Sequence, residues 1–401
     1  MSDFSYLGPE LSKLRQSKNV SSTALADYCG VRETTIRNFE AGKFFNPALL
    51  NSILQYFNCR LTIKPSDADC LPYLFDKIAP ANEHSEQQKI KPTCIEICAG
   101  AGGQALGLEL AGFEHLALVE YENEYCSALS KNRPEWNVIC GDVKNFSGKP
   151  YAGKVDLLAG GVPCPPFSVA GKQLGSEDER DLFPEAIRLI SEIRPRAVML
   201  ENVRGFLDPV FDEYRNNILS QIQSLGYNVQ IKLLHASDYG VPQLRPRVVI
   251  VGIRNDVKGQ FSYPEPNSSP MPTVASTLLD LMKANNWQGA DAWAKTACKI
   301  APTVVGGSKK HGGPDLGPVR ARRAWAELGI DGLGVADEAP AQDFSGMPRL
   351  TPRMIARIQG FPDNWNFAKG KTKACRMIGN AFPPPVAMAV GKQIIKALEQ
   401  K

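Results

Sequence analysis

The chain changes its hydrophobic rhythm near Lys91. Before that point apolar residues recur at helical spacing. Leu25-Ala26-Asp27-Tyr28-Cys29-Gly30-Val31 predicts a short helix that stops at a glycine turn, and Arg32 to Glu40 predicts a second, closed by Ala41-Gly42-Lys43. Ile36 and Phe39 share one face of that second helix, with Val31 at its entry, while Arg32, Glu33, Thr34, Arg37 and Asn38 face elsewhere. After Lys91 short apolar runs alternate with amphipathic stretches. Ile95-Glu96-Ile97-Cys98, Leu116 to Glu120, Val155 to Ala159, Ala197 to Leu200 and Val248 to Val251 predict strands. Such alternation predicts an α/β fold with a mostly parallel sheet, helices on both faces, and ligands at the carboxyl ends of the strands.

From about Asn255 to Pro348 the rhythm fades. Pro264, Pro266, Pro270 and Pro272, the run Gly306 to Gly313, and Arg320, Arg322 and Arg323 predict a smaller inserted domain with exposed basic loops. An apolar helix, Val386 to Leu398, should then pack back on the sheet. The chain therefore divides into a helical unit 1–75, a polar linker 76–90, a sheet-bearing part 91–255, an inserted domain 256–372 and a closing segment 373–401.

Composition narrows the class without naming it. The net charge of +4 neither requires nor excludes a nucleic-acid partner. Ten cysteines occur as singles without Cys-x-x-Cys, and four histidines are scattered, which argues against any metal site. In a reducing compartment those cysteines are expected to be small hydrophobes, Cys164 excepted and Cys98 in reserve. No run approaches the roughly 18 apolar residues that span a bilayer. The N-terminus lacks the layout of a secretory signal, so a cytoplasmic protein with no membrane partner is expected.

Cys164 is set apart by its surroundings. Gly160 to Ser168 reads Gly-Gly-Val-Pro-Cys-Pro-Pro-Phe-Ser, so three prolines fence the cysteine. Proline fixes φ, which suits a thiolate that must attack from a fixed position. Zinc deaminases of cytosine also use a Pro-Cys pair, but they need a second cysteine three residues on and an upstream His-x-Glu. Phe167 stands at that place, so the metal-ligand set such an enzyme needs is incomplete.

Other motifs leave alternatives open. Ala99-Gly100-Ala101-Gly102-Gly103-Gln104-Ala105 follows a strand and opens a helix, offering free N–H groups to an anion. With Glu120 about 20 residues on, it fits a nicotinamide dinucleotide or an adenosyl ligand equally. Asp142 suits an adenine amino group or a helix cap. Glu201, at a strand end, suits a proton donor or a salt bridge. Gln243-x-Arg245-x-Arg247 sets two guanidinium groups on one side of an extended segment, as a phosphate clamp or as a surface pair.

The order is more specific than any single motif. Glycine loop, Pro-Cys, Glu-Asn-Val, Gln-x-Arg-x-Arg, a variable basic region and Gly379-Asn380-Ala381-Phe382-Pro383-Pro384-Pro385 together resemble the DNA cytosine-5 methyltransferase family, from Lys91 to about Lys396. The resemblance implies a Rossmann-like S-adenosylmethionine-dependent fold with an inserted target-recognition domain, acting on double-stranded DNA. It implies that Cys164 attacks C6 of a flipped cytosine and that Glu201 holds or protonates N3. Arg245 and Arg247 would then position the flipped nucleotide and its phosphate. To S-adenosylmethionine it assigns Cys98, Ala99, Gly100, Gly102, Gly103, Glu120, Tyr121, Asp142, Val143, Pro163 and Asn380. Within that set Glu120 would hold the ribose, Tyr121 would lie against the adenine, and Asp142 would take its amino group. Asn380 would also brace the catalytic and recognition parts. To DNA it assigns Ser168, Gln243, Lys309, Lys310, Arg320, Arg322 and Arg323. Cys98 stands where the family usually has phenylalanine, and Glu96 where aspartate is commoner.

The N-terminal helices resemble the helix-turn-helix of the phage-repressor type, whose second helix enters the major groove. This implies an all-α DNA-binding unit with Arg32, Glu33, Thr34, Arg37 and Asn38 toward the bases. It further implies a promoter operator as a second DNA partner, a homodimer through this unit, and a role as (auto)regulator. The whole is expected to be a nucleoid-associated enzyme of a prokaryotic restriction–modification system, its cognate endonuclease acting on the same site without direct contact. Two other classes stay open: a nicotinamide oxidoreductase, and a non-catalytic DNA-binding regulator with a methyltransferase body.

Overall fold

A computed structural model describes residues 7–29, 31–43, 50, 53, 91–163, 181–268, 270–306 and 315–400. The chain forms two compact units, 1–90 and 91–401.

In the first unit α1 (Leu7–Ser17), α2 (Ser22–Cys29) and α3 (Glu33–Glu40) bury Leu11, Leu25, Ala26, Ile36 and Phe39, together with Leu50 and Ile53. The helix expected from Arg32 starts at Glu33, because Arg32 is extended and occupies the N-cap position. Arg15 donates to both carboxylate oxygens of Glu40, at 2.6 and 2.9 Å, and to the carbonyl of Val20 at 2.9 Å. One guanidinium thus ties the first helix to the end of the third and to the turn between α1 and α2.

The second unit runs β1 (Thr93–Ile97), α4 (Gly103–Ala111), β2 (Glu114–Glu120), α5 (Asn123–Asn132), β3 (Val138–Cys140), β4 (Leu157–Gly161), α6 (Phe183–Ile193), β5 (Ala197–Val203), α7 (Asp212–Ser224), β6 (Tyr227–His235) and β7 (Pro246–Arg254). These strands form one sheet of order β3-β2-β1-β4-β5-β7-β6. β1 to β5 are parallel, and β7 is antiparallel to both β5 and β6. The central strands are apolar on both sides because both faces are covered. Ile95, Ile97, Leu158, Val198 and Leu200 pack with Phe183, Leu189 and Ile190 of α6, while Cys94, Leu157, Ala159 and Met199 pack with the C-terminal helix.

Since β7 runs against β5, its start lies at the edge where the parallel strands end: Arg247 pairs with Val203, the last residue of β5. A single reversed strand therefore brings Gln243 to Arg247 to the edge that carries the glycine loop, Glu120 and Glu201.

Beyond β7 come α8 (Val274–Met282), α9 (Ala290–Thr296), α10 (Val319–Ala326) and α11 (Pro352–Ile358). They bury Trp287, Trp293, Trp325 and Leu350 in a core that continues into Ala101, Leu106, Leu129 and Trp136 of the sheet-bearing part. The chain closes with α12 (Lys371–Asn380) and α13 (Pro384–Glu399), the latter covering the sheet beside α4. Their approach requires Gly107, where a Cβ would fall 2.5 Å from that of Ala387 and 2.9 Å from the nitrogen of Met388. Among the described residues no helix is long and apolar enough to cross a membrane.

Candidate active site

The carboxyl ends of β4 and β5 define the centre of the site. Gly161 and Glu201 are register partners, and the absent side chain leaves the Glu201 carboxylate room; a Cβ on Gly161 would lie 3.3 Å from Oε2. Across β5 the diagonal neighbour Arg247 reaches back, its Nε 2.8 Å from Glu201 Oε1. Both side chains are buried. Burial pushes the Glu201 carboxyl above its ordinary range, against the opposing charges of Arg247 and Arg245. Burial likewise lowers Arg247, with Glu201 opposing.

Next to this pair the chain leaves the sheet toward Cys164. Asn202 Nδ2 donates to the carbonyl of Val162 at 2.9 Å, and the Leu182 amide lies 3.4 Å from the carbonyl of Pro163. Asp181 accepts from Tyr214 at 2.6 Å and from the Phe183 amide at 3.1 Å. Pro163 and Leu182, which flank residues 164–180 in the sequence, therefore meet at one fixed base. Cys164, Ser168, Lys309 and Lys310 lie outside the described residues.

Arg245 has a different environment from the one its motif suggests. It is fully buried, and its guanidinium donates to the carbonyls of Val304 (2.7 Å), Gly379 (2.6 Å) and Ala381 (3.0 Å). Gln243, also fully buried, accepts from the Val304 amide at 2.8 Å and donates to Gln359 Oε1 at 2.6 Å. Gln359 in turn donates to Ala381 at 2.6 Å. These three side chains knot β7 to segment 304–306 and to the end of α12. The expectation that Arg245 clamps a phosphate and Gln243 meets DNA does not fit this placement, because every donor named points at protein backbone or at another buried side chain. Asn380, expected to brace the two parts, is exposed; the bracing passes through the carbonyls of its neighbours Gly379 and Ala381. Gly379 lets segment 304–306 approach, since a Cβ there would fall 2.5 Å from the Gly306 Cα.

The glycine loop turns through left-handed backbone at Cys98 (φ 53°), Gly100 (φ 57°) and Gly102 (φ 80°) before α4 begins. Glu120 ends β2 and accepts from the Gly100 amide at 2.7 Å and the Glu122 amide at 2.8 Å, so its position is fixed by the loop it faces. Its carboxyl is raised by burial, against these hydrogen bonds. Tyr121 is 68% exposed, leaving a ring face free for stacking. Asp142 is half-buried and caps the short turn beginning at Val143, accepting from the Lys144 amide at 3.0 Å. Ala99 is buried beneath the loop. Gly103 has a second cause: a Cβ there would run into the Phe382 carbonyl and lie 3.2 Å from the Ala381 Cβ. The Cys98 thiol is pushed up to about 12 by burial and by Glu120, so it stays protonated and is no rival nucleophile.

In the outer region Arg320 and Arg323 of α10 are exposed and Arg322 is half-buried, over an anchor of fully buried Trp325. In the first unit Arg32, Thr34, Arg37 and Asn38 are exposed on or just before α3. Glu33 is engaged locally, accepting from Ser22 at 2.7 Å and from Arg37 at 2.6 Å. One cysteine expectation needs correction. Cys126 and Cys140 are joined, with Cα atoms 5.8 Å apart.

A parallel sheet with a glycine loop, an acidic residue at the end of β2 and one reversed strand near the edge is a methyltransferase-type fold, and comparison places the chain within a family. Residues 92–396 match the C-5 cytosine-specific DNA methylases, and residues 11–64 match a helix-turn-helix family. The chain belongs to the C-5 cytosine-specific DNA methylase family and is a DNA methyltransferase, which removes the nicotinamide reading of the glycine loop. It is 58% identical over 312 residues to the Type II methyltransferase M.NgoMIV of Neisseria gonorrhoeae, covering 77% of this chain and 99% of that protein. It is 34% identical to M.Eco47II of Escherichia coli over 426 residues, 97% of this chain and 98% of that one. In fold it is similar to the S. pombe Dnmt2 methyltransferase, at a TM-score of 0.54 and 15% identity, covering 77% and 99% of the two chains. The family and fold imply S-adenosylmethionine as cofactor and DNA as substrate.

Proposed function

We propose that this methyltransferase modifies C5 of a cytosine flipped out of a specific duplex site, through a temporary bond from Cys164 to C6. The observation that carries the reading is the buried Glu201–Arg247 pair beside the base from which the chain runs into Cys164. Addition of the Cys164 thiolate to C6 places electron density on C5 and N3. Glu201, whose carboxyl burial favours in its protonated form, donates to N3 as that charge develops. Arg247 holds the carboxyl group in line and meets the nucleotide at the same edge. Loss of the C5 proton to a base and departure of the thiolate then restore the ring. Extrusion of the base costs roughly a few kcal/mol, because the target carbons are unreachable within the stack.

S-adenosylmethionine supplies the methyl electrophile when bound. The residues present fit it: Glu120 is aimed by two backbone N–H groups and keeps lone pairs for a ribose diol. Tyr121 offers a ring face, and no atom lies within 4 Å of where a Gly141 Cβ would stand. On this reading residues 256–372 select the DNA site, with Arg320, Arg322 and Arg323 toward it, and 373–401 complete the catalytic body. The first unit binds an operator as a dimer through Arg32, Thr34, Arg37 and Asn38, giving the enzyme a regulatory task. A cognate endonuclease would act on the same site.

Full-length protein incubated with plasmid DNA and methyl-labelled S-adenosylmethionine should incorporate label into 5-methylcytosine at one repeated sequence, located by bisulfite sequencing. Glu201→Gln should reduce incorporation by at least about 100-fold, the usual scale for losing a positioned acid. Label at scattered cytosines, or none, counts against the reading.

A further inference from the structure

The reaction leaves unused a cysteine pair at the free edge of the sheet. Cys126 lies on α5 and Cys140 at the end of β3, 14 residues apart and joined. Cys140 is the register partner of Glu120 and is followed by Gly141 and Asp142. The Cys126 sulfur lies 3.3 Å from the Glu120 carbonyl, and that of Cys140 lies 3.2 Å from Asn123 Oδ1. The bond therefore joins the strand that leads to Asp142 with the helix that follows Glu120.

We propose that Cys126 and Cys140 form a reversible redox modification site, whose closed disulfide tightens cofactor binding by stapling the strand that carries Asp142. The inference rests on the cofactor reading above. β3 needs such a staple. It is an edge strand of three residues, half-buried or exposed, paired on one side only. Its hold on β2 includes the Gly141 amide donating to the Glu120 carbonyl at 2.8 Å. Closing the bridge ties β3 to α5 and fixes Asp142 relative to Glu120. Opening it leaves two thiols that can only donate weakly to Glu120 and Asn123. Affinity follows because a site already ordered spends less of its interaction energy on ordering.

The pair is reachable. Cys140 is exposed, and the Cα separation lies within the range a disulfide spans without moving backbone. Cys94 and Cys375 are shielded by contrast, with thiols pushed up by burial. The oxidant is a low-molecular-weight disulfide of the glutathione class. The Cys140 thiolate attacks one of its sulfurs and releases the first thiolate. The Cys126 thiolate then attacks the Cys140 sulfur and releases the second. Two protons leave the protein, and two electrons convert one reagent disulfide into two thiols. Reduction reverses both steps.

The test uses the full chain carrying Cys164→Ser, so that oxidation of the nucleophile cannot alter the readout. Samples equilibrated with oxidised or reduced glutathione are alkylated and mapped by mass spectrometry, and S-adenosylmethionine binding is measured by titration calorimetry. The expected result is a Cys126–Cys140 linked peptide only under oxidised glutathione, with affinity roughly three- to tenfold tighter than in the reduced sample. Cys126→Ser and Cys140→Ser should each bind at the reduced level in both conditions. Full alkylation of both cysteines after oxidation overturns the proposal, as does a linked peptide with affinities equal within about twofold, a difference too small for a staple. Failure to bind S-adenosylmethionine in either state, with the linked peptide present, overturns the cofactor reading and this inference with it.

Discussion

Replacing Arg245 with methionine should destabilise the second unit while leaving the salt dependence of DNA binding unchanged. The substitution withdraws the guanidinium donors from Val304 and Gly379, while Ala381 keeps its bond from Gln359. Each buried carbonyl left without a donor costs about 1–3 kcal/mol, so the gross loss is about 2–6 kcal/mol. Part of this is returned, because a fully buried guanidinium no longer has to be desolvated and methionine fills a similar volume. The expected net loss is about 2–4 kcal/mol, a large share of a typical 5–15 kcal/mol. All five tryptophans (Trp136, Trp287, Trp293, Trp325 and Trp365) lie beyond Lys91, so tryptophan fluorescence in urea reports this unit alone. DNA affinity is measured in parallel against salt. A stability change below about 0.5 kcal/mol, with a salt slope smaller by about one phosphate contact, would show that Arg245 meets the DNA backbone instead.

Four further outcomes follow. Gly107→Ala forces a Cβ into Ala387 and Met388, which should cost about 1–3 kcal/mol in the same urea assay; an unchanged midpoint would mean that α13 does not lie against α4. Burial raises the Glu201 carboxyl, so if its proton is needed, kcat should fall as pH rises through that raised value rather than through the ordinary carboxylate range. Arg247→Gln removes its largest opposing charge and should move the falling limb to still higher pH; a limb that stays put counts against Glu201 as the proton source. A chain of residues 91–401 should still methylate DNA, since the match to the C-5 cytosine-specific DNA methylases lies within residues 92–396, but it should lose operator binding. Operator retention equal to that of the full chain removes the regulatory role.

How much was legible depended on where each residue sits. β1, β2, β4, β5 and β7 show as apolar runs because helices cover both faces, and that places Glu120 at the end of β2 and Glu201 near the end of β5. β3 and β6 give no such run: β3 is a short edge strand, and β6 is half-exposed along most of its length. No local pattern tells that β7 is reversed, which is why Gln243 to Arg247, at the start of a strand, still reaches the carboxyl edge. Arg245 and Arg247 share a motif but not a task. Arg245 lies before the first residue of β7 and turns into the protein, whereas Arg247 lies within the strand and meets Glu201. The burial of Gln243 and Gln359 carries no sequence signal, because glutamine is ordinarily a surface residue. Cys126 and Cys140 gave none either, since their meeting depends on α5 packing over β3.

The central claim is a sulfur–carbon bond from Cys164 to a cytosine drawn out of the duplex. Duplex DNA carrying 5-fluorocytosine in random contexts tests it most directly, because fluorine at C5 blocks the final proton loss and stalls the enzyme on its substrate. With S-adenosylmethionine present, the full-length protein should appear as a denaturation-resistant protein–DNA species. Cys164→Ser should abolish that species, and Cys98→Ser should leave it. A covalent product that survives Cys164→Ser, or none from protein that still methylates ordinary DNA, contradicts the account.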